Sequence, residues 1–183
     1  MQQKKDLTKR LIAESFKELV KRKSFEKLTI KMISDEAGII RPTFYNYYRD
    51  KYDVMEYLMQ TEIIDGALEA CEKLGVESGV LYIVERLMED KPYYEKVFLI
   101  TGQNSFEEVL KEKLVMYIQG YMVEYGGTDK WPDNPALTPY VVASCEASAF
   151  ISYLKFWLYT RQEATPEEIV SAYSYIRRGV LRK

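Results

Sequence analysis

Between Thr29 and Lys51 the chain gathers side chains suited to recognition: Arg41, Thr43, Tyr45, Asn46, Tyr47, Tyr48 and Lys51, entered through Thr29. Arginine offers a planar fork of donors, asparagine a donor beside an acceptor, lysine a point charge, and the hydroxyls both donate and accept. These groups can hold a polyanion and read hydrogen-bonding edges. The 183 residues contain no histidine, which excludes a Ser-His-Asp triad, a histidine proton shuttle and a histidine-ligated zinc site. The adjacent acids Glu89 and Asp90 read as a solvated helix end rather than a carboxylate catalytic pair. Cys71 and Cys145 are too far apart and too few for a disulfide framework or a cysteine metal cluster. The expectation is a protein that is not an enzyme, with no cofactor and no metal.

Local signals say how the recognition residues are held. Thr29 offers a hydroxyl cap for a short helix that carries Ile30, Ile33 and Ala37 inward, and Gly38 ends it. A second short helix runs from Thr43 to Tyr48, and Asp50 is placed to cap a longer one bearing Tyr52, Met55, Leu58, Met59 and Ile63. An amphipathic helix over residues 6–22 precedes them, with Leu7, Leu11, Ile12, Phe16, Leu19 and Val20 on one face. Two short helices joined through a glycine form a helix-turn-helix, whose second helix can lie in a DNA major groove. In this reading Phe44 packs on Ile33 and Ala37, while Arg41, Thr43, Tyr45, Asn46 and Tyr47 face outward. Lys51, in the first turn of the next helix, strengthens a phosphate site at that helix's N-terminus. Charge supports the division: residues 1–60 hold 13 Lys and Arg against 9 Asp and Glu, and residues 61–183 hold 13 against 19. A basic head therefore precedes an acidic body.

Residues 6–60 resemble the DNA-binding domain of the TetR family of transcriptional regulators. The likeness runs through Phe16, Phe25-x-x-Leu28-Thr29-Ile30, Ile33, Ala37-Gly38 and Thr43-Phe44-Tyr45-x-Tyr47-Tyr48-x-Asp50-Lys51. It implies that Thr29, Thr43, Tyr45, Tyr48 and Lys51 hold the phosphate backbone, while Arg41, Pro42, Asn46 and Tyr47 lie nearest to base edges. Tyr48 can instead be mainly a packing residue, and Thr29 only a cap. Ile40 and Pro42 depart from the family pattern, which favours a polar cap and a small or polar residue there; proline also has no N–H to donate. Gly102-Gln103-Asn104-Ser105-Phe106 and the late helix bearing Trp157 resemble one subgroup, that of the dihydroxyacetone-kinase operon activator and its relatives. The implied division is a DNA-binding domain over 1–50 and an effector-binding and dimerisation domain over 51–183.

Helical periodicity continues through the body, and no segment alternates like a strand, so the expected fold is all-α with about nine helices. Val80–Met88, a short helix after Pro92, a helix from Ser105 to about Tyr125, a run from Tyr140 to Tyr159 and a last helix from Thr165-Pro166 to about Leu181 are read in turn. An irregular loop from Gly126-Gly127 to Pro135 interrupts them. One short helix contacts too few bases for useful specificity, so a homodimer on a double-stranded operator is expected. In the resembling family the last two helices form that interface. Here they supply Ala143, Ala147, Phe150, Ile151, Leu154 and Leu158, then Ile169, Ala172, Tyr173, Ile176 and Val180. The same stripes would equally serve the protomer's own core.

Eleven of the sixteen tyrosines lie beyond residue 60. Tyr93, Phe98, Tyr117, Tyr121, Tyr153 and Trp157 are candidates to line a pocket for an unidentified small effector, with core filling as the alternative for each. A protein coactivator acting on the body is a related expectation, and a helical protein-interaction module without a small ligand is the competing one. No apolar run is read as long enough for a bilayer, and the amphipathic N-terminus is unlike a secretory signal. A cytoplasmic protein without membrane contact is expected.

Overall fold

The computed structural model describes residues 2–125, 131 and 133–178. Among them are ten α-helical segments and no strand: α1 (Gln2–Arg22), α2 (Ile30–Glu36), α3 (Arg41–Tyr45), α4 (Lys51–Leu58), α5 (Asp65–Leu74), α6 (Val76–Glu89), α7 (Lys91–Val97), α8 (Phe106–Tyr125), α9 (Pro139–Tyr159) and α10 (Pro166–Arg177). A π-helical stretch, Met59–Ile64, joins α4 to α5 without a break. The described residues therefore hold nine separate α-helical rods beside a short 3-10 helix at Phe25–Lys27, and the all-α expectation is met. Val180 and residues 126–130 lie outside the described residues, as do the expected end of the last helix near Leu181 and part of the expected loop.

The start and stop signals act as their chemistry dictates. Thr29 caps α2, its hydroxyl oxygen accepting from the Met32 amide at 3.2 Å, and Thr165 with Glu168 closes a reciprocal capping box at α10. Gly38 lies at φ +64°, the left-handed region that lets the chain leave α2 and turn into α3. Gly79 does not punctuate the chain as its residue type suggests. It lies inside α6, where any β-carbon would collide with the Cys71 sulfur and the Ala67 carbonyl, so its lack of a side chain lets α5 and α6 approach closely.

One continuous core runs from Ile12 and Phe16 of α1 through Phe44 and Met55 to Tyr94, Phe106, Leu154 and Ile169. The rod formed by α4, the π stretch and α5 leads out of the N-terminal helices into this body. By length and composition alone the 21 residues of α9 could cross a bilayer, although Glu146 and Lys155 interrupt its apolar run. One side of it packs on the protein, where Ala143, Ala147, Phe150, Ile151, Leu154 and Leu158 are buried. Its charges are paired as well, Glu146 with Arg177 at 3.0 Å and Lys155 with Glu107 at 2.5 Å.

Candidate nucleic-acid interface

α3 spans only five residues, too short to be stable alone, so its direction is set by what it buries. Phe44 is wholly buried in the core that includes Ile33 and Ala37. Tyr48, just beyond the helix, is also buried, at 3% exposure. Its hydroxyl donates to the Lys9 carbonyl at 3.0 Å, and its ring packs on Phe44 and Tyr57. Burial pushes the Tyr48 phenol far above its ordinary pKa, so it stays neutral. Of the two readings of this residue the packing one fits the burial: Tyr48 pins α3 to α1.

The opposite edge of α3 is open. Arg41, Pro42, Tyr45 and Asn46 are exposed, while Thr43 and Tyr47 are half-buried. Arg41 donates through Nε and Nη2 to the Tyr45 hydroxyl at 3.2 and 2.9 Å, with its guanidinium 5.6 Å from the ring centre. The pair holds a cation and an aromatic edge together one turn apart. Asn46 is the C-cap residue of α3 and is exposed. Pro42 sits in the first turn, where a missing N–H removes no helical bond, and Ile40 gives no side-chain cap.

Lys51 departs most from expectation. Its ammonium donates to the carbonyls of Phe25 (2.7 Å), Leu28 (3.2 Å) and Glu26 (3.4 Å) and lies 4.3 Å from the Phe25 ring centre. Its three donors thus brace the turn that leads into Thr29, and burial lowers its pKa. The expected phosphate site at the start of α4 is also occupied from within. Asp50 caps that helix by accepting from the Tyr52 and Asp53 amides at 2.8 and 2.9 Å, and its negative charge opposes an anion there. Arg49 pairs with Asp53 at 3.2 Å.

The comparisons with known proteins decide the family. Residues 12–58 match the family described as bacterial regulatory proteins, tetR family, and residues 76–179 match a TetR C-terminal family described as the transcriptional regulator C-terminal region. The chain belongs to the TetR family. A relative, the HTH-type dhaKLM operon transcriptional activator DhaS of Lactococcus lactis subsp. lactis (strain IL1403), is 24% identical over 94 residues, covering 51% of this chain and 50% of that protein. The match thus spans about half the length of that curated relative. The solved dihydroxyacetone kinase operon activator DhaS superposes with a TM-score of 0.65 at 19% identity, over 93% of this chain and 92% of that one. NalD, the secondary repressor of the MexAB-OprM multidrug efflux pump in Pseudomonas aeruginosa, gives 0.68 at 13% identity over 99% of both chains. At these identities the structures speak for the fold. The TetR family and these relatives are transcriptional regulators, not enzymes.

The body residues singled out in the sequence scatter. Tyr93 and Phe98 are buried, Tyr117, Tyr153 and Trp157 are half-buried, and Tyr121 is exposed. Tyr153 donates to the Ile169 carbonyl at 2.7 Å, tying α9 to α10. Neither of two surface hollows includes any of the six: one lies along α10 at Ser171 and Tyr175, the other between Arg22 and Ile100. The six thus lie at different depths of the body, from the core to the surface.

The expected dimer stripes divide between the protomer's core and its surface. Ala147, Phe150, Ile151, Leu154 and Leu158, with Ile169 and Tyr173, are buried within the protomer itself. Ala172 and Ile176 are exposed. Sequence reasoning missed the opposite side of α9, where Val141, Cys145, Ala149, Ser152 and Phe156 are exposed at helical spacing. Small residues every four positions were its signal, hidden because both sides of the helix are apolar.

Proposed function

We propose that this TetR-family chain is a homodimeric, sequence-specific regulator that reads a double-stranded operator through the exposed edge of α3. The observation that carries this is the division of α3 itself. Phe44 and Tyr48 anchor it, while Arg41, Tyr45 and Asn46 stand exposed on the other side. Arginine and asparagine can make paired hydrogen bonds to guanine and adenine, and the Thr43 and Tyr45 hydroxyls suit phosphate oxygens, as does Thr29 beyond its capping bond. Pro42 and Tyr47 supply shape beside the base edges.

Pairing of two copies is supported by the exposed strip of α9, with Phe156 at 54% exposure, and by Tyr175 and Ile176 of α10 at 68% and 53%. Large exposed apolar groups favour burial between protomers. The functional division remains a head over 1–50 and a body over 51–183, with a small effector or a protein coactivator acting on the body and shifting the spacing of the two heads. A cytoplasmic setting follows from access to chromosomal DNA.

Fluorescence anisotropy with duplexes from the promoter beside the coding region tests the reading. Saturable binding that survives random competitor DNA and weakens steeply with salt is the expected result. Absence of binding at low salt contradicts it.

A further inference from the structure

A second polar cluster lies away from the α3 edge, where the head meets the body. The Lys17 ammonium of α1 donates to both Glu62 carboxylate oxygens at 3.0 and 2.8 Å and pairs with Asp90 at 3.0 Å. Lys21, one turn along α1, also reaches Asp90 at 3.0 Å, and the Tyr94 hydroxyl donates to Glu62 at 3.1 Å. The Tyr93 ring lies 5.3 Å from the Lys17 ammonium.

Three features set this cluster apart from surface ion pairs. Its charges are shielded: the Lys17 side chain is 11% exposed and Asp90 19%, so solvent screens them less than it does exposed pairs. Burial works to lower the Lys17 pKa, but hydrogen bonds to Glu62 and Asp90 outweigh it and hold the ammonium above its ordinary value. Burial likewise works to raise the Asp90 carboxyl, yet Lys21 and Lys17 keep it below its ordinary value. The second feature is the backbone that carries the acids. Glu62 sits in the π stretch of the rod leaving the head, a winding that interrupts regular helix and often marks functional positions. Asp90 occupies the corner between α6 and α7. The third is the link to α3. Lys17 lies two turns along α1 from Lys9, whose carbonyl holds the Tyr48 hydroxyl at the end of α3.

We infer that Lys17, held by Glu62 and Asp90, is a positioning residue that sets the angle of the head on the body and so the half-site spacing at which a dimer binds. It touches no DNA. A shift of the α6–α7 corner or of the π stretch moves Lys17, and α1 carries α3 with it through Tyr48. On the other side, Tyr94 packs against Phe106, whose ring centre lies 4.8 Å from that of Phe98, so repacking in the body reaches the cluster through contiguous rings. The inference rests on the dimeric DNA reading proposed above.

The test uses the full chain and duplexes carrying the inverted repeat it selects from random DNA, with the half-site spacing changed by one and two base pairs. The wild type should show a sharp optimum. Lys17→Met should cut the preference for the best spacing over the adjacent one by about fivefold or more, the lower end of coupling between linked sites. Glu62→Gln, which keeps the shape and is safer for folding, should cut it less and in the same sense. Asn46→Ala should weaken binding at every spacing and leave the preference unchanged. A folded Lys17→Met or Glu62→Gln protein with the wild-type preference, even at reduced thermal stability, overturns the positioning role alone. A wild type that selects no inverted repeat removes the DNA reading and this inference together, and one that selects a repeat but shows no spacing optimum overturns this inference alone.

Discussion

The head and the body present the same kinds of residue in opposite ways. In the head, Tyr45 and Tyr48 are three positions apart: one is 48% exposed and holds Arg41, the other is 3% exposed and holds Lys9. A five-residue helix has one side to bury and one to show, so the contrast between them is sharp. In the body, α9 runs for 21 residues with Leu154 buried on one side and Phe156 exposed on another. Both sides are apolar, and residue type alone does not say which faces the protomer's core and which a partner. Where a helix is polar on one side its function is readable, and where it is apolar all round, only its packing tells.

This contrast can be tested from its strongest consequence downward. Truncating the buried side of α9 by Leu154→Ala should cost about 2–5 kcal/mol of stability, as measured by urea denaturation. On the exposed side, Phe156→Glu should leave the fold intact and abolish pairing in sedimentation equilibrium, with operator affinity falling by about 100-fold or more as the second half-site contact is lost. If Phe156→Glu unfolds the protein while it stays monomeric throughout, the assignment of the two sides is reversed. In the head, Arg41→Ala should cost about 1–3 kcal/mol of operator affinity with little change in melting temperature. Tyr48→Phe should do the converse, removing about 1 kcal/mol of stability with the loss of its hydrogen bond to Lys9 and leaving sequence preference unaltered. Equal effects of these two changes on affinity would erase the distinction between edge and anchor.

Acid gives a smaller readout of the join between the regions. Against the effect of burial, Lys21 and Lys17 hold the folded-state pKa of Asp90 below the ordinary aspartate value, so the stability it contributes is present above that ordinary value and is lost as pH falls through the folded pKa. Asp90→Asn should therefore flatten the fall in melting temperature between about pH 5 and about pH 3 relative to wild type. An unchanged pH dependence would mean that the cluster holds no net charge coupling.

Much of the head was legible because each signal there has one local meaning. Thr29 and Asp50 cap, Gly38 takes the left-handed turn, and Phe44 points inward because the residues on the other side of α3 are polar. Lys51 was not legible in this way. Its position suits a phosphate, but its long stem folds back onto carbonyls 23–26 residues earlier in the chain, a contact no short-range spacing reveals. The same limit hid Lys17, whose partners Glu62 and Asp90 are distant in sequence and brought near by the π stretch and the α6–α7 corner. In the body the helices could be read, but the sides of α9 could not, since burial of Ala147 and exposure of Ala149 depend on where α10 and α8 lie. Gly79 shows a related limit: a glycine that lets two helices touch is indistinguishable in sequence from one that ends a helix.

The central claim is that the exposed edge of α3 reads bases, and selection from random double-stranded DNA by the full chain tests it most directly. The account predicts enrichment of an inverted repeat, with Asn46→Ala relaxing the preference at one symmetric base-pair position in each half-site while the rest of the motif persists. Failure of the wild type to enrich any motif, or an identical motif from Asn46→Ala, would contradict it.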